Sequence, residues 1–342
     1  MNHLIVGCGY LGRRVAKLWL LQGHHVFGVT RRAEGAATLK LEGITPIVAD
    51  VLLADSLRHL AFAELVPPIT VRSLSEALGV RGAELIFKLR QHGALISTTI
   101  NSVIAPEMAE LIVQEFGIPR RPGTYDTVLY AVGLDRTSGA SMRSVYVDGL
   151  ANVLDHLPKP KRFIYISSSS VYGQADGEWV DEESPTEPQE ESGQIVLEAE
   201  HLLRARLPEA IILRFAGIYG PGRLLRRKTI EVGEPIVGDA EKWLNLIHVE
   251  DGARAVLAAA ERGQPGRVFN ICDDQPVRRR EFYSELARCL DAPAPRFVAP
   301  PADQPMPPHE KGNRRIRNRR MREELGLTPR FASFVEGLRA QA

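Results

Sequence analysis

The sequence predicts an α/β protein: a doubly wound parallel sheet with a smaller C-terminal lobe and one inserted small helical domain. Three observations lead there. A glycine-rich turn joins an apolar strand to an amphipathic helix at the start of the chain. Short β-branched runs then recur between helical stretches, as a parallel sheet requires. The gap between the third and fourth of these runs far exceeds the usual connection of about 2–6 residues.

Leu4-Ile5-Val6 forms the first strand, and Gly7-Cys8-Gly9-Tyr10-Leu11-Gly12 follows directly. Arg13 to Gln22 reads as a helix closed by Gly23, and His25 to Thr30 as the second strand. A Gly-x-Gly-x-x-Gly between strand and helix is the context of a dinucleotide-binding Rossmann turn. Gly7 permits the tight turn, Gly9 lets the backbone approach a pyrophosphate, and Gly12 lets helix pack on strand. Tyr10 and Leu11 then lie in the first helical turn, whose free N–H groups attract phosphate. The alternative is a purely structural turn.

The second strand ends in Thr30-Arg31-Arg32, with no acid before Glu34. An acid there would hold the ribose 2′-hydroxyl of NAD, whereas two guanidinium groups suit a 2′-phosphate. NADP is therefore the preferred cofactor and NAD the second candidate. The other reading makes Arg31 and Arg32 solvated surface charges. The third strand, Ile47 to Val51, brings Asp50 and Val51 to the same edge. Asp50 either accepts a hydrogen bond from the adenine amino group or caps a helix over Asp55 to Leu65. The fourth strand, Thr127 to Val132, precedes Gly133, so Ala131, Val132 and Gly133 let the backbone lie close to the cofactor. Phe163 to Ile166 is a fifth strand and runs into Ser167 to Ser170.

A formal net charge of +1 gives no general attraction to nucleic acid or acidic membrane. Cys8, Cys272 and Cys289 form neither a disulfide framework nor a metal spacing, so no metal is expected and a reducing cytoplasmic setting is. No signal peptide and no bilayer-spanning run is evident.

Several landmarks come in order: the glycine turn, Asp50-Val51, Ala131-Val132-Gly133, SSSSVYG at 167–173, LRFAGIYGPGR at 213–223, IHVED at 247–251 and Phe269-Asn270-Ile271. Together they resemble the extended short-chain dehydrogenase/reductases, in the NAD-dependent epimerase/dehydratase branch. The resemblance implies a Rossmann domain, a C-terminal substrate lobe from segments after 214, and a sugar or nucleotide-sugar substrate. It also implies catalysis by a Ser or Thr, a Tyr, and a Lys four residues after the Tyr. Ser168 matches the hydroxyl position, but Ser192 stands where the Tyr belongs and Val196 where the Lys belongs. No Tyr or Lys occurs between Gly173 and Leu203, so no shift of register restores the pair.

Two readings stay open. In one, another residue carries the proton, with Tyr146, Asp176, Glu178, Glu190 and Glu191 as candidates. In the other, the chain is a non-catalytic NADP-binding regulator or scaffold. Tyr172, in the VYG turn, is expected to pack structurally. Arg223 is the substrate candidate, since it and the following Arg226, Arg227 and Lys228 suit a diphosphate. The basic stretch His309 to Arg322 reads as an anion-binding or structural segment, with a final amphipathic helix over Arg319 to Leu325. Pro293 to Pro308 reads as an extended connector. Relatives of this kind suggest a homodimer.

The long gap has its own logic. Thr70 to Gly79, Gly82 to His92 and Pro106 to Phe116 read as three short helices, with an extended β-branched stretch over Ala94 to Asn101. The segment VRSLSEALGVRGAELIFKLRQHGALISTTINSVIAPEMAELIVQEFG, 71–117, resembles the small N-terminal domain of bacterial translation initiation factor two. That implies a mini-domain at 67–118 for protein or ribosomal contacts, set into an NAD(P)-binding domain made of 1–66 and 119–342. Right-handed crossovers bring the chain back to the N-terminal edge of the sheet before each strand, so this insertion belongs at the edge opposite the ligand.

Overall fold

The computed structural model describes residues 1–60, 68–78, 80–115, 125–299 and 312–340. Its frame is a seven-stranded parallel sheet. The strands are β1 (Asn2–Val6), β2 (His25–Thr30), β3 (Thr45–Val48), β4 (Thr127–Tyr130), β5 (Phe163–Ser168), β7 (Ile211–Phe215) and β12 (Val268–Ile271). They stand in the order β12-β7-β5-β4-β1-β2-β3. Chain order reverses direction between β1 and β4, which is the switch point where doubly wound sheets open a crevice for ligands.

Helices cover both faces. On one, α1 (Tyr10–Leu21) packs beside α9 (Val249–Arg262). Val15, Trp19, Val256 and Ala259 there join Ile5 and Phe269 from the sheet. On the other, α6 (Gly149–His156) and α7 (Glu191–Arg206) cover Leu4, Val128 and Tyr165. The segment leading into α6, Ser144–Asp148, is wound as a π-helical turn. Helix α2 (Ala33–Leu41) follows β2. Cover on both faces buries every residue of β4 and β7 and all of β1 after Asn2, the polar His3, Thr127 and Arg214 included.

The C-terminal lobe has a core of its own, built on Tyr219, Ile236, Leu246, Phe282, Leu286 and Phe334. Short pairs of strands hold it: β8 (Gly217–Tyr219) with β11 (Leu246–His248), β9 (Ile236–Val237) with β14 (Phe297–Val298), and β10 (Trp243–Leu244) with β13 (Val277–Arg278). Helices α8 (Arg227–Glu231), α10 (Arg279–Cys289) and α12 (Phe334–Arg339) complete it, while α11 (Arg319–Glu324) packs on β12 and puts Met321 into the core beneath α1 and α9. Finally β15 (Arg315–Ile316) runs parallel to β6 (Trp179–Val180), carrying a late segment of the chain back to the sheet edge.

Between β3 and β4 lie three helices, α3 (Val71–Leu78), α4 (Gly82–Gln91) and α5 (Pro106–Glu115). They close on a separate apolar cluster of Val71, Leu74, Leu85, Leu89, Ala109 and Ile112.

Several boundaries differ from the sequence reading. The stretch Ala94 to Asn101 is not extended. It folds into turns, because Thr98 Oγ1 donates to the Leu95 carbonyl at 2.6 Å and Ser102 Oγ accepts from the Thr99 N–H at 2.9 Å. The expected helix from Asp55 is a 3₁₀ segment, Ala54–Leu60, and its continuation to Leu65 lies outside the described residues. β3 ends at Val48, leaving Asp50 and Val51 in the turn beyond it. The connector from Pro293 contains β14, and its part from 300 to 308 lies outside the described residues, as do Gly79, Phe116 and Gly117.

Candidate functional site

A cavity of about 890 Å³ opens along the C-terminal ends of the parallel strands. Its wall is made by the glycine turn, the ends of β2 and β3, the segment after β4, the serines after β5, the first turns of α7 and the loop after β7. None of the described residues between 68 and 115 lines it.

The three glycines of the opening turn stand in three different environments. Gly7 has φ of +92°, and a Cβ there would lie 2.5 Å from the Ala131 carbonyl oxygen. At Gly12 a Cβ would lie 2.8 Å from the Gly7 carbonyl oxygen and 3.0 Å from Ile5, so helix and strand touch through hydrogen. At Gly9 a Cβ would meet nothing within 4 Å, and the same holds at Gly133 across the cavity. Sterics inside the chain thus account for Gly7 and Gly12. The space at Gly9 and Gly133 belongs to the cavity. No side chain caps α1 and its first turn holds no acid, so the N–H groups at Tyr10 and Leu11 face a volume fit for an anion, while the Gly9 N–H donates to the Gly7 carbonyl at 2.8 Å. These residues fit a dinucleotide.

At the β2 end, Arg31 lines the cavity and Arg32 does not; Arg32 is the residue before α2 and is exposed. Asp50 lines the cavity too, its Oδ1 accepting from the Leu52 N–H at 3.0 Å. Val51, Ala131, Val132 and Gly133 line it as well. Cys8 also faces it, but burial pushes the thiol up to about 12, so it stays protonated and is no nucleophile.

At the other end, β5 delivers Ser168, whose Oγ accepts from the Ser170 N–H at 3.1 Å. Gly193 lets α7 press on this turn, since a Cβ there would lie 2.4 Å from the Ser170 carbonyl oxygen. That contact sets Ser192 and Val196 into the cavity wall beside Ser168. Ser192 and Val196 are the residues that α7 gives to the wall, and neither is a phenol or an ammonium.

Of the five alternative proton carriers, only Tyr146 lines the cavity; Asp176, Glu178, Glu190 and Glu191 do not. Tyr146 sits in the π-helical turn, and its hydroxyl accepts from the Leu134 N–H at 3.4 Å. π-Turns are common where a helix must present one side chain to a site. Tyr165 also borders the cavity, but burial raises its pKa and holds it in the phenol form. Tyr172 is 1% exposed and turned away from the cavity. It donates to Asn270 Oδ1 at 2.8 Å and accepts from Arg214 Nη1 at 3.1 Å.

Arg223 lines the cavity, with its guanidinium over the Tyr10 ring at 5.5 Å. Arg226, Arg227 and Lys228 do not line it, and Arg227 pairs with Glu231 at 2.7 Å. Arg314 was not singled out from the basic stretch, yet it also reaches the wall. Its Nη2 donates to the Ser169 carbonyl at 2.9 Å, while its buried Nε has no partner among the described residues. Burial lowers its pKa from the usual arginine value. Strand β15 places it, and only long-range pairing reveals that.

The comparisons follow the same lines. Residues 125–272 match the model of the NAD dependent epimerase/dehydratase family. Protein YeeZ of Escherichia coli K12 is 40% identical over 140 residues, 40% of this chain and 48% of that protein. A dTDP-glucose 4,6-dehydratase from Streptomyces niveus is 27% identical over 194 residues, 52% of this chain and 55% of that enzyme. The chain thus spans about half the length of these curated relatives. The Bordetella bronchiseptica enzyme WbmG, solved in complex with NAD, aligns with a TM-score of 0.67 and 18% identity, covering 100% of this chain and 92% of that one. At that identity the likeness is one of fold. No helix of the described residues is long and apolar enough to cross a membrane.

Proposed function

We propose that the chain is an NAD(P)-dependent enzyme of the epimerase/dehydratase type, acting on a sugar or nucleotide sugar without the usual Tyr-x-x-x-Lys. The observation that carries this is the space at Gly9 and Gly133, on facing walls of one cavity, beside the uncapped start of α1. The amides of Tyr10 and Leu11 would hold the pyrophosphate, with Gly9 leaving room for its approach. Asp50 and Val51 would border the adenosine, and Arg31 at the end of β2 favours NADP, with NAD as the second candidate. The nicotinamide, when bound, supplies a carbon that accepts or returns hydride.

The chain's own residues then have the following roles. Ser168 would hydrogen-bond the reacting oxygen, and Tyr146 would take the proton from it. Arg223 and Arg314 would bind the anionic part of a nucleotide sugar. The name of the Streptomyces relative, a dTDP-glucose dehydratase, supports a substrate of that class.

A second reading is a cofactor-binding regulator that presents the inserted helices to a protein partner. Two observations favour it: the loss of phenol and ammonium at Ser192 and Val196, and the exposure of Phe87, Leu95 and Ile96 at 62%, 75% and 87%.

Calorimetric titration with NAD, NADH, NADP and NADPH tests the cofactor reading. The unaltered protein should bind, and Gly9→Ala should lose tenfold or more in affinity while melting at the same temperature. Absence of heat with all four nucleotides at millimolar concentration overturns it. Transient reduction of the oxidised cofactor, or deuterium exchange at a sugar carbon, across a nucleotide-sugar panel and lost in Tyr146→Phe, separates the enzyme from the regulator.

A further inference from the structure

The end of β2 and the segment after β4 face each other across the cavity, with β1 and its glycine turn between them in the sheet. One ion pair spans that gap: Arg31 Nη2 donates to Asp135 Oδ2 at 2.8 Å. Both residues line the cavity, and Arg31 is the cationic side chain nearest in sequence to the β2 edge among those that do. The carboxylate is itself fixed. Its Oδ1 accepts from the Thr137 N–H at 3.0 Å and from Thr137 Oγ1 at 2.6 Å. These bonds, followed by the one from Arg31, hold the carboxyl at about 2, so it is ionised throughout the range in which the protein would work.

Resting on the reading that this cavity takes a nicotinamide dinucleotide, we propose that Asp135 sets the balance between NADP and NAD by competing for Arg31. A ribose 2′-phosphate engages the guanidinium only by displacing the carboxylate. NAD carries a neutral hydroxyl there and binds with the ion pair closed. Arg31 alone therefore overstates the preference for NADP, and the residue that tempers it comes from the far side of the groove, 104 positions later in the chain.

The decisive variant is Asp135→Asn, which removes the charge but keeps an oxygen to accept from Thr137. Its affinity for NADPH should rise by about fivefold, the upper range for an exposed ion pair, while its affinity for NADH moves by less than about twofold. The gain should shrink as ionic strength is raised. In an Arg31→Ala background, Asp135→Asn should change neither affinity, because the competed group is gone. Equal changes for the two nucleotides, no change for either, or a gain that survives Arg31→Ala each overturn the proposal while leaving cofactor binding intact. Failure of the unaltered protein to bind either nucleotide instead removes the cofactor reading, and this proposal with it.

Discussion

On β1, His3 is 2% exposed and stacks on Trp19 with ring centroids 4.2 Å apart. Its Nε2 lies 2.8 Å from Nδ1 of His24, and its Nδ1 has no partner among the described residues. Burial, then the charge of His24, lowers its pKa from 6.5 to about 4. The folded-state value lies below the unfolded one, so the unfolded chain binds the proton more readily. Stability is full above about pH 6.5 and falls as pH drops toward 4. Between pH 7 and pH 5 the loss from this one group is about 2 kcal/mol. His3→Phe, which keeps the stack, should flatten that limb in urea titrations at the two pH values; an unchanged slope would assign the acid sensitivity elsewhere. Nothing in the sequence marks His3, because its neighbour Trp19 comes from the following helix. The glycines were legible because each role follows from strand–turn–helix context. Ser192 and Val196 stand out in the sequence only against a resemblance, and the structure adds that both line the cavity. Arg314 was hidden among seven basic residues, and only its bond to the Ser169 carbonyl, 145 positions away, and its place in the cavity wall distinguish it.

At the scale of elements, α7 and β7 are tied by a buried ion pair. Arg214 binds Glu200 through Nε at 3.0 Å and Nη2 at 2.8 Å, and Ser167 Oγ donates to the same carboxylate at 2.5 Å. Tyr172 and Asn270 extend the chain of bonds to β12. Removing one partner strands a charge in the interior, so Arg214→Leu should cost about 3–5 kcal/mol. Adding Glu200→Leu should restore part of it, read as a recovery of the urea midpoint at constant slope. If the double variant is no better than the single one, the cost lies in packing and not in the orphaned carboxylate. The sequence places both residues in their elements but cannot pair them, since contact depends on how α7 lies across the sheet. Elsewhere, β-branched composition misled: Thr98, Thr99 and Ile100 favour strands by propensity, yet the hydroxyls of Thr98 and Ser102 bond to nearby backbone and make turns.

For the whole molecule, the two ends of the sheet have separate duties. The cavity occupies one, and the three inserted helices join the chain ahead of β4, whose first residue starts at the other. Deleting Pro67 to Arg121 with a short bridge should therefore leave NADPH affinity within about threefold, by the independence of distant sites. A tenfold loss would show that the helices support the site. The fold class was legible because apolar runs and helices alternate along the chain, and the excess length between β3 and β4, where three helices lie, was legible as a break in that alternation. How far the insertion governs assembly was not. Asn2 bonds to Asp126 across 124 positions, where β1 meets β4 at the centre of the sheet. The chain must therefore close its middle around a segment that has its own apolar cluster. A guest that folds early turns a long floppy tether into a short stiff one and lowers the entropy lost at closure. One that folds late leaves the host waiting on its slowest contact. The tempo at which the sheet forms is thus in the keeping of a segment whose described residues take no part in the cavity.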